Sequence, residues 1–357
     1  MSKKLKPEPK LSVAKRQPPR WQHERNLTLI IWIAIPLIIA LALGLVGYWG
    51  YDTYVAAWNQ PVVKIGNDTI VNSAGNMVKG NVTVIDMRYF VKMLKFYSLS
   101  TSENTDATTF PYDVLQQIEN NEMMIRAAPS MGVQASQNEI TEEINNDLIS
   151  NAAGGGNSTG NITGNITQPL TDLGKMYQQW LNYVHLSDSE YRHLAEATLL
   201  TQKLNELFKQ NVPTEAKQVH VYAIMVDNEG NATLVEDKLK NGGNFSALAA
   251  EYSTDNTTKA NGGDLGWLPQ GILISELDQA AFSLTIGNVS EPILASNGYY
   301  YIIKVTEIEE NRPVEDQYRE QLAYTAFSNW FTAQMDSTKI VTYLNQSKAT
   351  WAMNHIT

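Results

Sequence analysis

Residues 26 to 51 form a run of 26 without a formal charge, around the dense core LIIWIAIPLIIALALGLVGYW. About 23 helical residues rise ~34 Å, enough to cross a hydrocarbon layer of about 30 Å. Pro36 inside the run is compatible with a membrane helix, where neighbouring groups re-satisfy the freed carbonyl. Tyr48, Trp49, Tyr51, Tyr54 and Trp58 cluster at its far end, as an interfacial aromatic belt does. A cleaved signal peptide is the competing reading. Its apolar region would span only about 7 to 15 residues and end at a small-x-small site, whereas this run is longer and is followed by aromatics. The expectation is a single uncleaved transmembrane anchor over 26–51.

Charge sets the orientation. The first 25 residues hold eight Lys or Arg against Glu8 and Glu24, a surplus of +6 within a chain whose net charge is −10. By the positive-inside rule the basic tail, 1–25, stays in the cytoplasm and everything past the anchor faces outward. The cell membrane is the expected location, single-pass. The outward part is acidic, and nucleic-acid binding needs clustered Lys and Arg, so that function class is excluded. There is no cysteine, which removes disulfides, thiolate metal sites and a cysteine nucleophile from consideration.

Beyond the anchor, PVVKIGNDTI (61–70) reads as a short strand or hairpin. Residues 83–97 have apolar side chains at helical spacing, with Thr83 as N-cap and Asp86 as the first-turn acid. A helix follows over 111–131, ending at Gly132. The next opens at Ser136 with Glu139 three residues on, a capping-box spacing. SNAAGGGNSTGNITGNITQ (150–168) is a low-complexity surface loop, since it cannot bury enough apolar area to offset its ordering entropy. Its Asn157, Asn161 and Asn165 open Asn-x-Ser/Thr triplets, as do Asn81, Asn231, Asn244 and Asn288. Such triplets are either glycan acceptors or a compositional leaning towards Asn and Thr. Helices resume over 170–184 and 187–211, the second with Ser187 and Glu190 as a capping box.

After residue 217 the pattern changes. KQVHVYAIMV is a strand, VEDKLKNGGNFSALAAEYS a helix broken at Gly242-Gly243, and TDNTTKANGGDLGWLPQG a loop. SELDQAAFSL is a helix, TIGNVSEPILAS a turn with an edge strand, and GYYYIIKVTEI a last strand. A long amphipathic helix then runs to about Asp336 and a terminal strand, KIVTYL, follows. Gly262, Gly263 and Gly266 read as conformational residues, because no Lys-Ser/Thr follows them to make a phosphate cradle.

The ordered blocks NFSALAAEYSTD, GGDLGW, AAFSL, GNVSEPI and YIIKVTE make residues 217–309 resemble the parvulin family, the PpiC-type rotamases. The expected fold is α+β: the transmembrane helix read from the charge-free run, a mostly helical domain over 61–211 that resembles a chaperone domain, and, as the parvulin resemblance implies, a parvulin-like α/β domain with a small antiparallel sheet. The resemblance also implies peptidyl-prolyl cis-trans isomerase activity on unfolded or proline-containing exported polypeptides, with no cofactor and no metal. Carried over, the first-strand histidine of the family falls on His220 and its Cys-or-Asp position on Asp255. The proline pocket falls on Leu265, Leu273, Leu277 and Phe282.

The last strand departs from the pattern. Where the family reads Gly-Tyr-His, this chain is one residue longer, Gly298-Tyr299-Tyr300-Tyr301, with Tyr301 or else Tyr300 at the histidine position, Ala295 in place of a threonine, and Asn297 standing in for a serine. The implied catalytic set is therefore His220, Asp255 and Tyr301. The flanking segments resemble extracytoplasmic foldases, in which the helix after the rotamase unit packs back on the N-terminal helices; the expected counterpart is 310–357. Two rival functions remain: a peptide-binding holdase whose rotamase domain has lost catalysis, and an envelope assembly or adhesion protein.

Overall fold

The computed structural model describes residues 37–356 apart from 38, 49, 52–54, 68, 72–76, 100–105, 107 and 153–171. The basic tail 1–25, the first part of the expected anchor 26–51, and nearly all of the low-complexity loop 150–168 lie outside the described residues. Residues 39–48 are helical (α1). Among the described residues no helix is long and apolar enough to cross a membrane.

Two antiparallel sheets organise the rest. Strand β1 (Pro61–Ile65) is central in the first, between β4 (Thr83–Asp86) and β9 (Ile340–Thr342). The short strands β2 (Thr69–Val71) and β3 (Met77–Lys79) pair only with each other. Of the two expectations for 61–70, the short strand forms and the hairpin does not: Val63 pairs with Ile85 on one side and with Thr342 on the other. Residues 83–86 are strand rather than the first turn of a helix. Val84 and Ile85 are β-branched and suit a pleated surface. Helix α2 (Met87–Ser98) starts three residues later than a Thr83 cap implies, and its cap is Asp86, whose carboxylate accepts from the Tyr89 N–H at 2.9 Å.

The helices are α3 (Phe110–Ala127), α4 (Gln137–Ala152), α5 (Leu173–Val184) and α6 (Asp188–Asn211). A 3-10 turn prolongs α3 to Met131 and closes at Gly132, φ 73°. Both capping boxes form: the Ser136 N–H donates to Glu139 at 2.8 Å and the Ser187 N–H to Glu190 at 2.7 Å. Each satisfies backbone donors that the first helical turn leaves unpaired. Phe90, Met93, Leu94, Ile140 and Trp180 are buried in the shared core. Each such side chain contributes roughly 1.5–3 kcal/mol through removal from water.

The second sheet has the order β6-β5-β8-β7, from β5 (Glu215–Val226), β6 (Asp264–Pro269), β7 (Ile293–Leu294) and β8 (Tyr300–Pro313). Strand β6 lies inside the segment expected to be loop. Its glycines suggest a coil, but Val219 and Leu268 pair across the strands. Helices α7 (Glu229–Lys240) and α8 (Phe245–Tyr252) cover one face, over Ile224, Val226 and Ile302. Helix α9 (Ser275–Ser283) covers the other, placing Leu277 and Ala281 on Val219, Val221, Ala223, Ile303 and Val305.

Helix α10 (Asp316–Ser337) then crosses to α6. Phe327 and Trp330 each meet Phe208 with ring centroids 5.9 Å apart, beside the buried Met124, Leu200 and Leu204. A short helix, α11 (Gln346–Met353), capped by Asn345, ends the described chain.

Candidate functional site

Strand β5 alternates without a bulge of its own, because the register shifts on both sides are taken up by extra residues in β6 and β8. Side chains of a strand point alternately to opposite faces. Val219, Val221 and Ala223 therefore share the α9 face, while Tyr222, Ile224 and Val226 share the α7–α8 face. On the α9 face a cavity of about 390 Å³ opens beyond Ala223, within the size range of small-ligand sites. Met225, Leu265, Ile272, Leu273, Ile274, Leu277 and Ile303 make its apolar walls, and Asp255, Asn297 and Tyr301 supply its polar groups.

Local structure explains each position. Leu265 is the extra residue of the β6 bulge, and a bulge re-aims a side chain relative to the regular pleat. Gly263, φ 85°, lies so close to β5 that a Cβ there would stand 2.3 Å from the Ala223 carbonyl oxygen. The approach is held by an Ala223 N–H bond to the Gly263 carbonyl at 2.8 Å. The loop carrying Asp255 is tied to β5 by the Thr254 N–H, which donates to the Met225 carbonyl at 2.7 Å.

Asp255 is occupied by its own turn, accepting from the Thr257 N–H at 2.9 Å and the Thr258 hydroxyl at 2.5 Å. Burial pushes its carboxyl pKa up, but these bonds outweigh that and hold it below the ordinary range. The group is an anion at neutral pH. Asn297 is oriented without ambiguity: its Oδ1 accepts from the Tyr299 N–H at 3.2 Å, so its Nδ2 is the atom that donates to the Tyr301 hydroxyl oxygen at 2.8 Å. With its oxygen already accepting, Tyr301 keeps its own O–H proton for another partner.

Asp255, Leu265, Leu273, Leu277 and Tyr301 thus meet around one cavity. Phe282 does not line it; it packs half-buried in the cluster under α9. The larger correction is His220. It shares strand parity with Tyr222 and lies on the opposite face, its ring stacked on Trp267 with centroids 5.4 Å apart and its Nε2 2.9 Å from Asp264 Oδ1. The Arg312 guanidinium closes the stack 4.3 Å from the Trp267 ring. Position 223, an alanine, is where β5 faces the cavity. His220→Ala is expected to leave peptide binding and isomerisation unchanged while lowering the urea midpoint, through loss of the stack and of the Asp264 bond. A fall in rate matching loss of Tyr301 would restore His220 to the site.

Sequence reasoning missed Ala223, Met225, Ile272, Ile274 and Ile303 as cavity walls. Counting strand parity from Val219 reaches Ala223; the Ile272 and Ile274 side chains sit in a loop that has no period to read.

Residues 213–307 match the Rotamase family, PPIC-type PPIASE domain, and this part of the chain is a parvulin-class rotamase domain. The chain is 32% identical to the foldase protein PrsA of Geobacillus sp. (strain WCH70) over 165 residues, 42% of this chain and 58% of that protein. It is 46% identical over 79 residues to the PrsA foldase of Caldanaerobacter subterraneus, 22% of this chain and 26% of that one. Matches of this kind span little more than half of the curated relatives' length, or less. A crystal structure of peptidylprolyl isomerase (PrsA) from Bacillus anthracis aligns with TM-score 0.43 and 21% identity, covering 62% of this chain and 95% of that one.

Proposed function

We propose that this protein is a membrane-anchored peptidyl-prolyl cis-trans isomerase and chaperone for exported polypeptides. The observation that carries the reading is the apolar cavity with a free hydroxyl donor, inside a stretch that matches the rotamase family. Rotation about an X-Pro bond faces a barrier of about 18–20 kcal/mol because the planar amide is stabilised by resonance. The planar form is the more charge-separated one, so an apolar wall of leucines and isoleucines disfavours it relative to the twisted form. The twisted nitrogen regains its lone pair, and the Tyr301 O–H is available to donate to the twisting amide. Only interactions stronger in that state lower the barrier. Asp255 fixes the rim and sets its negative charge.

In this reading the tail 1–25 is cytoplasmic, 26–51 is the anchor, 61–211 holds unfolded chain, 217–309 isomerises, and 310–357 couples the last two. The reading of an anchor is supported by Leu41, Leu43 and Leu45, which are exposed on a helix among the described residues. Exposed leucines in a row are unfavourable in water and favourable in lipid. The second reading, a non-catalytic holdase, is favoured by one observation: the cavity contains no imidazole, with Ala223 and Tyr301 facing it instead.

Refolding of a test protein limited by proline isomerisation separates the two. Residues 55–357 are expected to shorten the slow phase in proportion to their concentration. An unchanged slow phase with suppressed aggregation would leave the holdase, and neither effect would remove both readings.

A further inference from the structure

The Asn-x-Ser/Thr triplets are not absorbed by the function above. The chain has 31 Asn and 49 Ser or Thr in 357 residues, and 31 multiplied by 49/357 places about four such triplets at random; eleven occur, none with proline in the middle. The excess therefore exceeds what an Asn- and Thr-rich composition produces by itself.

The structure sorts the seven whose asparagine is described. Asn231 lies half-buried in the first turn of α7 with its Nδ2 donating to Asp227 at 3.1 Å. The Nδ2 of Asn288 is taken by the Thr285 hydroxyl at 2.7 Å. Asn67 is followed by a residue outside the described set. Four remain: Asn81, Asn244, Asn256 and Asn345, all exposed and all in loops, turns or at helix starts. Asn244 and Asn345 use only Oδ1, accepting from Ala247 N–H at 2.9 Å and Lys348 N–H at 3.0 Å as helix caps. A cap of this kind leaves Nδ2 unused, and it survives substitution on that nitrogen. None of the four lines the rotamase cavity.

We propose that Asn81, Asn244, Asn256 and Asn345 are N-glycosylation sites. The donor is a lipid-phosphate-linked oligosaccharide on the outer side of the membrane. The Asn Nδ2 bonds to the anomeric carbon of the sugar, the bond from that carbon to the lipid phosphate oxygen breaks, and the amide proton leaves with the phosphate. Sugars at these points add bulky, solubilising surface to an exported protein. The inference rests on the outward placement of residues past the anchor.

The test uses the full chain purified from its own cells. Peptide mass spectrometry is expected to find sugar mass increments on the peptides bearing the four asparagines. The increments should vanish in Asn81→Gln, Asn256→Gln, Asn244→Asp and Asn345→Asp, the aspartates being chosen because they keep the helix caps. Protease treatment of intact cells is run alongside. A chain cleaved from outside whose four peptides all have unmodified masses would overturn the proposal and leave the outward placement standing. A chain shielded from protease and unmodified would remove the placement, and the proposal with it.

Discussion

Replacing Tyr301 by phenylalanine is expected to lower kcat/KM for a prolyl peptide roughly tenfold, with most of the loss in kcat. A neutral hydrogen bond contributes about 0.5–1.5 kcal/mol, and 1.4 kcal/mol is tenfold in rate. The loss should fall on kcat because the ring keeps its wall position while the donor to the twisted amide is gone. Asn297→Asp is expected to act in the same direction through the same proton. A carboxylate there accepts from the Tyr301 hydroxyl, which at present takes a hydrogen bond from Nδ2 at 2.8 Å, and so draws the proton away from the substrate. In the Tyr301→Phe background Asn297→Asp should therefore cost almost nothing more. Additive losses would show that Asn297 acts independently of the hydroxyl.

The second large effect concerns acid stability. Glu122 on α3 is buried, and it binds Arg126 Nε at 2.8 Å, His193 Nε2 at 3.2 Å and the Thr83 hydroxyl of β4. Burial by itself would raise its pKa, but the hydrogen bonds from His193 and Thr83 and the Arg126 guanidinium outweigh it and bring the group to about 2. Its folded value lies below the unfolded one, so its contribution is fully present above about pH 4.5 and is lost as pH falls towards 2. The amount is roughly 2–3 kcal/mol, from a shift of this size at 1.36 kcal/mol per unit with allowance for its environment. Urea midpoints measured from pH 7 to pH 3 should fall, and Glu122→Gln should start lower at pH 7 and flatten the slope. A variant with the same slope as the parent would place the acid sensitivity elsewhere.

What the sequence disclosed follows from range. Helix caps are local, so Ser136 with Glu139 and Ser187 with Glu190 were legible from spacing alone. The partners of β1 were not, because β9 reaches it across nearly the whole described chain, and no local pattern encodes that pairing. Strand β6 hid behind Gly262, Gly263 and Gly266, where the conformational freedom of glycine looks the same in a loop and in a bulged edge strand. His220 drew attention as the histidine of a first strand, yet strand parity puts it with Tyr222 on the far face. Of the five ordered motifs that located the rotamase unit, four are tied to a turn, a cap or a close backbone approach, and YIIKVTE is part of strand β8. They did not locate the cavity wall, because Ala223 is chemically silent and Ile272 and Ile274 lie outside any period.

The proposed peptide site lies on the α9 face of the second sheet. Titrating a proline-containing peptide into protein labelled at its methyl groups and at its Trp and His rings separates this face from the opposite one. Shifts are expected at the methyls of Ala223, Leu265, Leu273 and Leu277, with those of the Trp267 and His220 rings unmoved. Perturbation centred on the His220 and Trp267 stack, with the four methyls silent, would place peptide binding on the opposite face.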